Sequence, residues 1–243
     1  MCTVSWVHSE KGYHLLCNRD EKKTRSSAIA PRIGVNGAVQ FIAPVDQDFG
    51  GSWIAANEFG TSICLLNGYG LRQEWQVESR GLLVAKLSSA KTIEEVCARL
   101  GQMDLMRFAS FTLVALSPGR DAALWSWDGS ALTEERNAEH RMPLISSSFE
   151  PDQVAAHRQR EFLRRVARAQ GLDEQVLFDF HSSHGLQGNQ PSPYSTCMHR
   201  EDASTVSFSW VSVSAKEVSF LYTPAAPCHW QPREIVQLPR RTQ

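Results

Sequence analysis

Several features are missing from this sequence, and each absence argues against a class of protein. No stretch approaches the ~20 apolar residues that a membrane-spanning helix needs. Ser5, His8 and Lys11 interrupt the apolar run that a secretory signal peptide would require near its start. The six cysteines include no Cys-x-x-Cys pair. We therefore expect reduced thiols and a cytoplasmic location rather than a disulfide framework.

An excess of charge of one sign is missing as well. Lys and Arg number 25 against 26 Asp and Glu, so the formal net charge is −1. Such a balance provides no field that would steer the chain onto nucleic acid or an acidic membrane. The arginines between Arg158 and Arg168 have helical spacing and are interpreted as a solvated helix face. We expect a small-molecule partner, no nucleic acid and no membrane span, and the oligomeric state stays open.

The hydrophobic pattern predicts an α+β protein in one domain over residues 1–243. Apolar segments between turn residues predict strands, and apolar spacings of three and four predict helices. Strands are expected at 3–8, 13–17, 39–43, 53–56, 62–66, 111–116, 123–127, 141–146, 205–213 and 218–222, and helices at 82–87, 93–100 and 151–169. This order indicates mostly antiparallel sheets with helices on their outer faces. Gly12 is expected to supply a positive φ in the first hairpin, Gly171 to cap the last helix, and 181–193 to be an exposed loop.

Cys2 is the first candidate for chemistry. Removal of Met1 would leave Cys2 with a thiol and a free α-amine on one residue. An α-amine has a pKa of about 7.7–8.0, so part of it is neutral at cellular pH and can act as a base. A thiol close to a base or a cation gains nucleophilicity. A Met-Cys start is common, so this interpretation depends on the residues that surround Cys2.

Two polar segments follow predicted strands. Asn-Arg-Asp-Glu at 18–21 comes after the second strand, where the residues fit either a functional site or a solvated hairpin end. Asn67 ends an apolar strand and precedes Gly68. Its amide fits either a donor to an oxyanion or a turn residue beside glycine. On the residues alone, both alternatives stay open for both segments.

Taken together, these motifs resemble a known family. Met-Cys-Thr-Val at the start, NRDE at 18–21, Gly-Gly-Ser-Trp at 50–53 and Leu-Leu-Asn at 65–67 resemble the NRDE family, also called the transport-and-Golgi-organisation family. The stretch from Cys197 to Asp202 resembles the closing strand pair of that family. The family is in turn similar to the N-terminal-nucleophile amidohydrolases, which include bile-salt hydrolases and penicillin V acylases. The resemblance implies a four-layer αββα sandwich.

The resemblance also implies a role for each matching residue. Cys2 would attack the carbonyl carbon of a linear amide, and Arg19 would stabilise its thiolate. Asp20 would hold the α-amine of Cys2, with Glu21 as a rival for that duty. Asn67 would donate a hydrogen bond to the oxyanion.

Two further positions, Arg200 and Ser147, affect whether such a site would be catalytically active. Arg200 would be the distal cation of the implied site. Where relatives have a second Asn, this chain has Ser147, which leaves catalytic competence open. The alternative to a hydrolase is therefore a non-catalytic protein on the same fold that binds or moves haem, lipid or acyl ligands.

No metal site and no cofactor are expected from the sequence. His181 and His184 occur in a Ser-rich stretch without Cys, Asp or Glu beside them, which is poor evidence for a metal. Cys197 and His199 would suit a metal or haem, but we expect their side chains to point to opposite faces if this segment is a strand.

Overall fold

In a computed structural model, the described part of the chain is residues 2–69, 78–185, 190–229 and 234–242. Its strands are β1 (Cys2–Ser9), β2 (Gly12–Lys22), β3 (Ile29–Asn36), β4 (Val39–Val45), β5 (Ile54–Asn57), β6 (Ser62–Asn67), β7 (Phe111–Leu116), β8 (Ala123–Trp127), β9 (Leu132–Arg136), β10 (Leu144–Ser146), β11 (Ala203–Val213), β12 (Glu217–Thr223) and β13 (Glu234–Pro239). Its α-helices are α1 (Gly81–Leu87), α2 (Ile93–Leu100), α3 (Pro151–Ala169) and α4 (Glu174–His181). None of these helices has the length and apolar character needed to cross a bilayer.

The strands form two antiparallel sheets. One sheet has the strand order β10-β1-β2-β11-β12-β13, and the other has the order β3-β4-β5-β6-β7-β8-β9. Helices α3 and α4 contact the first sheet at β1, β2 and β10, whereas α1 and α2 contact the second at β5, β6 and β7. The layers are therefore helix, sheet, sheet and helix, and the predicted αββα class is confirmed. That residues 1–243 form a single domain stays a prediction.

Two apolar cores hold these layers together. The larger core includes Trp6 of the first sheet and Ile54 of the second, and it extends to Phe180 of α4. The smaller core lies on the other face of the second sheet and includes Leu87 of α1 and Leu113 of β7. Burial of side chains of this size contributes about 1.5–3 kcal/mol each, so both cores stabilise the positions of β1, β2 and β6.

The pairing of β1 with β2 fixes the direction of each side chain at the start of the chain. Cys2 lies opposite Arg19, and Thr3 lies opposite Asn18. Alternate residues of a strand point to opposite faces of the sheet. Cys2 belongs to the core between the sheets, whereas the hydroxyl of Thr3 accepts a hydrogen bond from Arg158 of α3. Even-numbered side chains at the start of β1 therefore face the core between the sheets, and odd-numbered ones face helices α3 and α4.

Asp20 points to the helix side of the first sheet. Its Oδ2 accepts hydrogen bonds of 3.2 Å from both Nη1 and Nη2 of Arg158, and its Oδ1 accepts one of 2.6 Å from Thr205. Arg158 is only 1% exposed. The interpretation of Arg158 as part of a solvated helix face is therefore wrong, because α3 turns this arginine inward onto a buried carboxylate.

Strand β2 is longer than predicted. It runs to Lys22, so residues 18–21 lie within the strand rather than after it. Their side chains therefore alternate between the two faces instead of clustering at a strand mouth. The prediction of a positive φ at Gly12 is also wrong. Glycine is needed there because a Cβ would lie 1.7 Å from the carbonyl oxygen of Val213.

The prediction of an exposed loop over 181–193 is wrong at His181 and Ser183, which are buried, and residues 186–189 of that segment lie outside the described part of the chain. His181 ends α4 and is buried. Its Nδ1 lies 3.0 Å from Oδ1 of Asn18, and its Nε2 lies 2.8 Å from Oγ of Ser5. Asp173 begins the helix by accepting a hydrogen bond from the backbone of Val176, as aspartate commonly does at the N-cap position of a helix.

Other boundaries also differ from the prediction. The segment 141–146 contributes a strand only at Leu144–Ser146, after a short 3-10 helix at Ala138–Arg141. Gln170, with φ 57°, rather than Gly171, adopts the left-handed conformation that ends α3. Strands β3, β9 and β13 and helix α4 were not predicted. The chain therefore ends in three strands of the first sheet rather than two.

The contact between Arg158 and Asp20 leads to a test of stability. Arg158→Met would remove the two hydrogen bonds that the guanidinium donates to the buried carboxylate of Asp20, and breaking such a buried pair typically costs about 3–5 kcal/mol. We expect urea unfolding to show a loss of that size. Arg164→Met, which removes an exposed arginine from the same helix, should change the free energy of unfolding by less than about 0.5 kcal/mol. Equal losses in the two variants would contradict the buried-pair assignment.

Candidate active site

A cavity of about 340 Å³ lies where β1, β2 and β6 meet the loop before β5 and the start of α1. The residues on its wall that matter for chemistry are Cys2, Arg19, Glu21, Asp46, Trp53 and Asn67. A thiol, a guanidinium, two carboxylates and a side-chain amide therefore share one concave space. The size is at the lower end of the range of about 300–1,000 Å³ for small-molecule pockets.

Cys2 occupies the first position of β1, between two neighbouring strands. It pairs with Arg19 of β2 on one side and with Ser146 of β10 on the other, and it is 6% exposed. A hydrogen bond with Cys17 and burial raise the pKa of the Cys2 thiol well above its ordinary value. The thiol is therefore protonated at neutral pH, and a reaction at Cys2 needs a base.

Arg19 is held by an aromatic ring and two carboxylates. Its guanidinium carbon lies 4.5 Å from the centre of the Trp53 ring. Its Nη2 lies 2.9 Å from Oδ2 of Asp46 and 3.4 Å from Oε1 of Glu21. Cation–π contact and charge-assisted hydrogen bonds favour one orientation of the guanidinium plane. The cation nearest Cys2 along the sheet is thus fixed in place before any ligand binds.

The loop before β5 brings Asp46 and Trp53 to the cavity. The backbone N–H of Asp46 donates to the carbonyl of Gly51, and its carbonyl accepts from Gly50, each at 2.8 Å. Gly51 also approaches α1 so closely that a Cβ would lie 2.5 Å from the carbonyl carbon of Gly81. Gly51 is therefore required for steric reasons, because it lets the loop contact the helix, whereas Gly50 adopts a φ of 71° that favours glycine.

Asn67 lies at the boundary between two cavities. It is the last residue of β6 and borders both the Cys2 cavity and a neighbouring cavity of about 630 Å³. Its backbone carbonyl accepts a hydrogen bond of 2.5 Å from Oγ of Ser146, the β10 residue that pairs with Cys2. The hydrogen bond thereby joins the end of β6 to the strand beside Cys2 and fixes Asn67 at the cavity wall.

The structure brings together only part of the site implied by the sequence. Cys2, Arg19, Asn67 and the rival residue Glu21 line the same cavity. The carboxylate of Asp20 points to the helix side, but Asp20 is still near enough to contribute to the raised pKa of the Cys2 thiol. Whether Asp20 or Glu21 holds the α-amine stays a prediction.

Arg200 and Ser147 lie outside the residues that line this cavity. Arg200 forms an ion pair of 2.7 Å with Asp202 and places its guanidinium carbon 4.6 Å from the centre of the Phe149 ring. Ser147 borders the neighbouring cavity, and its hydroxyl donates to the carbonyl of Phe149 at 2.6 Å. The role of Arg200 as a distal cation therefore stays a prediction without a contact to the cavity.

Two contributors to the site were missed by sequence reasoning. Asp46, which binds Arg19, follows a strand in a loop and carries no motif of its own. Cys17, which interacts with Cys2, was interpreted only as a strand residue. The period of two along β2 is the signal that was available, since Cys17 and Arg19 must share a face.

The expectation that Cys197 and His199 point apart is wrong. Residues two apart in an extended segment share a face. Sγ of Cys197 lies 3.5 Å from Nε2 of His199.

This arrangement of layers is the fold of the N-terminal-nucleophile hydrolases. Penicillin V acylase from Agrobacterium tumefaciens matches with a TM-score of 0.59 and 12% identity, over 98% of this chain and 86% of that chain. A conjugated bile acid hydrolase from Clostridium perfringens, solved as a mutant, matches with a TM-score of 0.58 and 12% identity, over 98% and 92%. The Caenorhabditis elegans orthologue of N-acylethanolamine-hydrolyzing acid amidase matches with a TM-score of 0.58 and 11% identity, over 86% and 92%. At these identities the likeness shows the fold alone.

The family follows from the sequence itself. The chain belongs to the Transport and Golgi organisation 2 family, whose model matches residues 1–192. NRDE is an alternative name of that family, so the resemblance drawn from residues 18–21 and the neighbouring motifs is confirmed. A search of curated proteins gave no significant match.

The contact between Cys2 and Cys17 leads to a second test. Cys17→Ala removes the hydrogen bond that favours the protonated form of Cys2, so the pKa of the Cys2 thiol should fall. We expect the pH–rate profile for alkylation of Cys2 by iodoacetamide, followed by peptide mass spectrometry, to move to lower pH. Cys97→Ala removes a partly exposed thiol elsewhere and should leave the profile unchanged. An unmoved profile in Cys17→Ala would refute the assigned contact.

Proposed function

We propose that this protein is a hydrolase that uses Cys2, after removal of Met1, to cleave linear amide carbon–nitrogen bonds. The observation that carries the proposal is the meeting of Cys2, Arg19 and Asn67 in one cavity. These residues come from three different strands, β1, β2 and β6, and each belongs to one of the family's motifs. The N-terminal-nucleophile fold supports the same conclusion at the level of reaction class.

The proposed reaction has two steps. The α-amine of Cys2 takes the thiol proton, and Sγ attacks the carbonyl carbon. The carbon–nitrogen bond then breaks, the amine product leaves with a proton, and a thioester remains on Cys2. Water attacks that thioester in the second step, which releases the acid and restores the thiol. The raised pKa of Cys2 makes the first proton transfer essential.

The other residues act on charge that develops during the reaction. Arg19 stabilises the thiolate that forms when Cys2 loses its proton. Asn67 donates from its amide to the oxyanion of the tetrahedral intermediate, a contribution that is typically worth several kcal/mol. In this proposal Asp20 or Glu21 holds the α-amine in position. Arg200 would act from outside the cavity as a distal cation.

The character of the cavity wall favours a polar substrate. Arg19, Arg25 and Arg80 contribute cations, and Glu21, Asp46 and Glu78 contribute carboxylates. Burying a long apolar chain against so many charged groups would leave them poorly solvated. The wall therefore fits a compact amide better than it fits haem or a lipid tail, the alternative ligands for this fold.

Cys2→Ala provides the main test. The assay panel is penicillin V, conjugated bile acids and N-acylethanolamines of short and long acyl chain, the classes of compound named for the structural neighbours, and the long acyl chains are expected to react least. Covalent labelling of Cys2 by an activity-based electrophile gives a second readout that needs no known substrate. We expect Cys2→Ala to lose turnover and labelling while circular dichroism stays unchanged, and Cys97→Ala to retain both. Turnover that persists in Cys2→Ala, or a wild-type mass that retains Met1, would exclude this function.

Asn67→Ala tests the oxyanion role. Loss of a principal oxyanion donor lowers kcat by about 10²–10³-fold, which corresponds to about 2.7–4 kcal/mol. KM should change little, because the donor acts mainly on the transition state. The matched control is Gln102→Ala, which removes an exposed side-chain amide away from the cavity. A variant that raises only KM would show that Asn67 binds substrate without stabilising the oxyanion.

A further inference from the structure

Four potential metal ligands cluster near the end of the first sheet. They are His184, Cys197, His199 and Cys228, and their ligand atoms all lie within 4.8 Å of one another. Nε2 of His199 lies 3.5 Å from Sγ of Cys197 and 3.3 Å from Sγ of Cys228. Cys197 is buried, and the other three are partly buried. Residues that are 44 positions apart in the chain thus converge on one point.

The two distances from His199 match those of a tetrahedral metal site. Zinc bonds of about 2.3 Å to sulfur and about 2.0–2.1 Å to nitrogen place neighbouring sulfur and nitrogen ligands about 3.5 Å apart. The two distances from His199 are close to that value, at 3.5 and 3.3 Å. The widest separation in the cluster, 4.8 Å, exceeds the tetrahedral distance by only about 1 Å.

The set of donors also indicates which metal would bind. Thiolate and imidazole together favour zinc over magnesium or calcium, which prefer oxygen ligands. We propose that His184, Cys197, His199 and Cys228 bind one Zn²⁺ ion in a closed structural site. Four protein ligands complete the coordination and leave no position for substrate. The cluster lies outside the residues that line the Cys2 cavity, so this inference does not depend on the proposed hydrolase activity.

The position of the cluster explains what the metal would do. Cys197 and His199 lie in the connection between α4 and β11, and Cys228 lies in a 3-10 helix that follows β12. The backbone of Cys197 donates to the carbonyl of Ser183 at 2.8 Å, which fixes this connection near His184. One ion would join these segments by four bonds, as structural zinc does in small irregular regions.

The test measures metal in the purified full-length protein. The chain is loaded with Zn²⁺ under reducing conditions, dialysed, and assayed by inductively coupled plasma mass spectrometry. We expect one zinc per chain and a rise in Tm on loading, because an ion that binds only the folded state stabilises it. Co²⁺ in place of Zn²⁺ should give the intense visible absorption of a tetrahedral thiolate site. Wild type without bound zinc and without that absorption would overturn the proposal.

Substitutions assign the site to these residues. Cys228→Ser and His199→Gln should each lower the affinity for zinc at least tenfold. Neither variant should show the zinc-dependent rise in Tm. His229→Gln is the matched control, because the His229 ring lies 6.1 Å from that of His199 but is not one of the four ligands. Cys97→Ser controls for thiols in general. If Cys228→Ser and His229→Gln bind zinc equally, or if Cys197 and Cys228 form a disulfide that persists under reduction, the site is refuted.

Discussion

The register between β1 and β2 is the constraint on which the rest of the site depends. Cys2 lies opposite Arg19, so both side chains lie on the cavity side of the first sheet. A shift of one residue would move each side chain of a strand to the opposite face. A slip of β1 against β2 would turn Thr3 towards the cavity and the Cys2 thiol towards the helices, away from Arg19. Arg158 specifies the register from the helix side, since it contacts both Thr3 and Asp20.

The charged side chains on the two faces of β2 have different surroundings. On the helix side, Asp20 and Arg158 are almost wholly buried, at 0% and 1% exposure, so each ion needs the other. On the cavity side, Arg19 is also buried, at 5% exposure, but it borders the cavity, where Asp46 and Trp53 fix its orientation. The buried pair of Asp20 and Arg158 on one face thus supports the preorganised Arg19 cation on the other. Preorganisation of this kind is what electrostatic stabilisation of a reacting group requires.

The hydrophobic pattern predicted the strands and helices in which apolar residues recur regularly. It did not predict the strands at the edges of the second sheet. The bounds predicted for β7, β8 and α3 match the structure, because apolar residues recur there at spacings of two or three to four. Strands β3 and β9 lie at opposite edges of the second sheet and are largely exposed, so their apolar alternation is weak. Family motifs found Cys2, Arg19 and Asn67. Contacts between distant positions, such as Asp20 with Arg158, leave no local signal in one sequence.

Strand β11 links the candidate metal cluster to the candidate active site. A bulge between Thr205 and Ser207 lies opposite Asp20 and Arg19 of β2, and bulges of this kind redirect side chains. Thr205 uses its hydroxyl twice: it donates to Asp20 at 2.6 Å and accepts from the backbone of Met198 at 2.9 Å. Met198 stands between two of the proposed zinc ligands. An ion that fixes Met198 would therefore also restrain Thr205, and through it the carboxylate that anchors β2 beside Cys2.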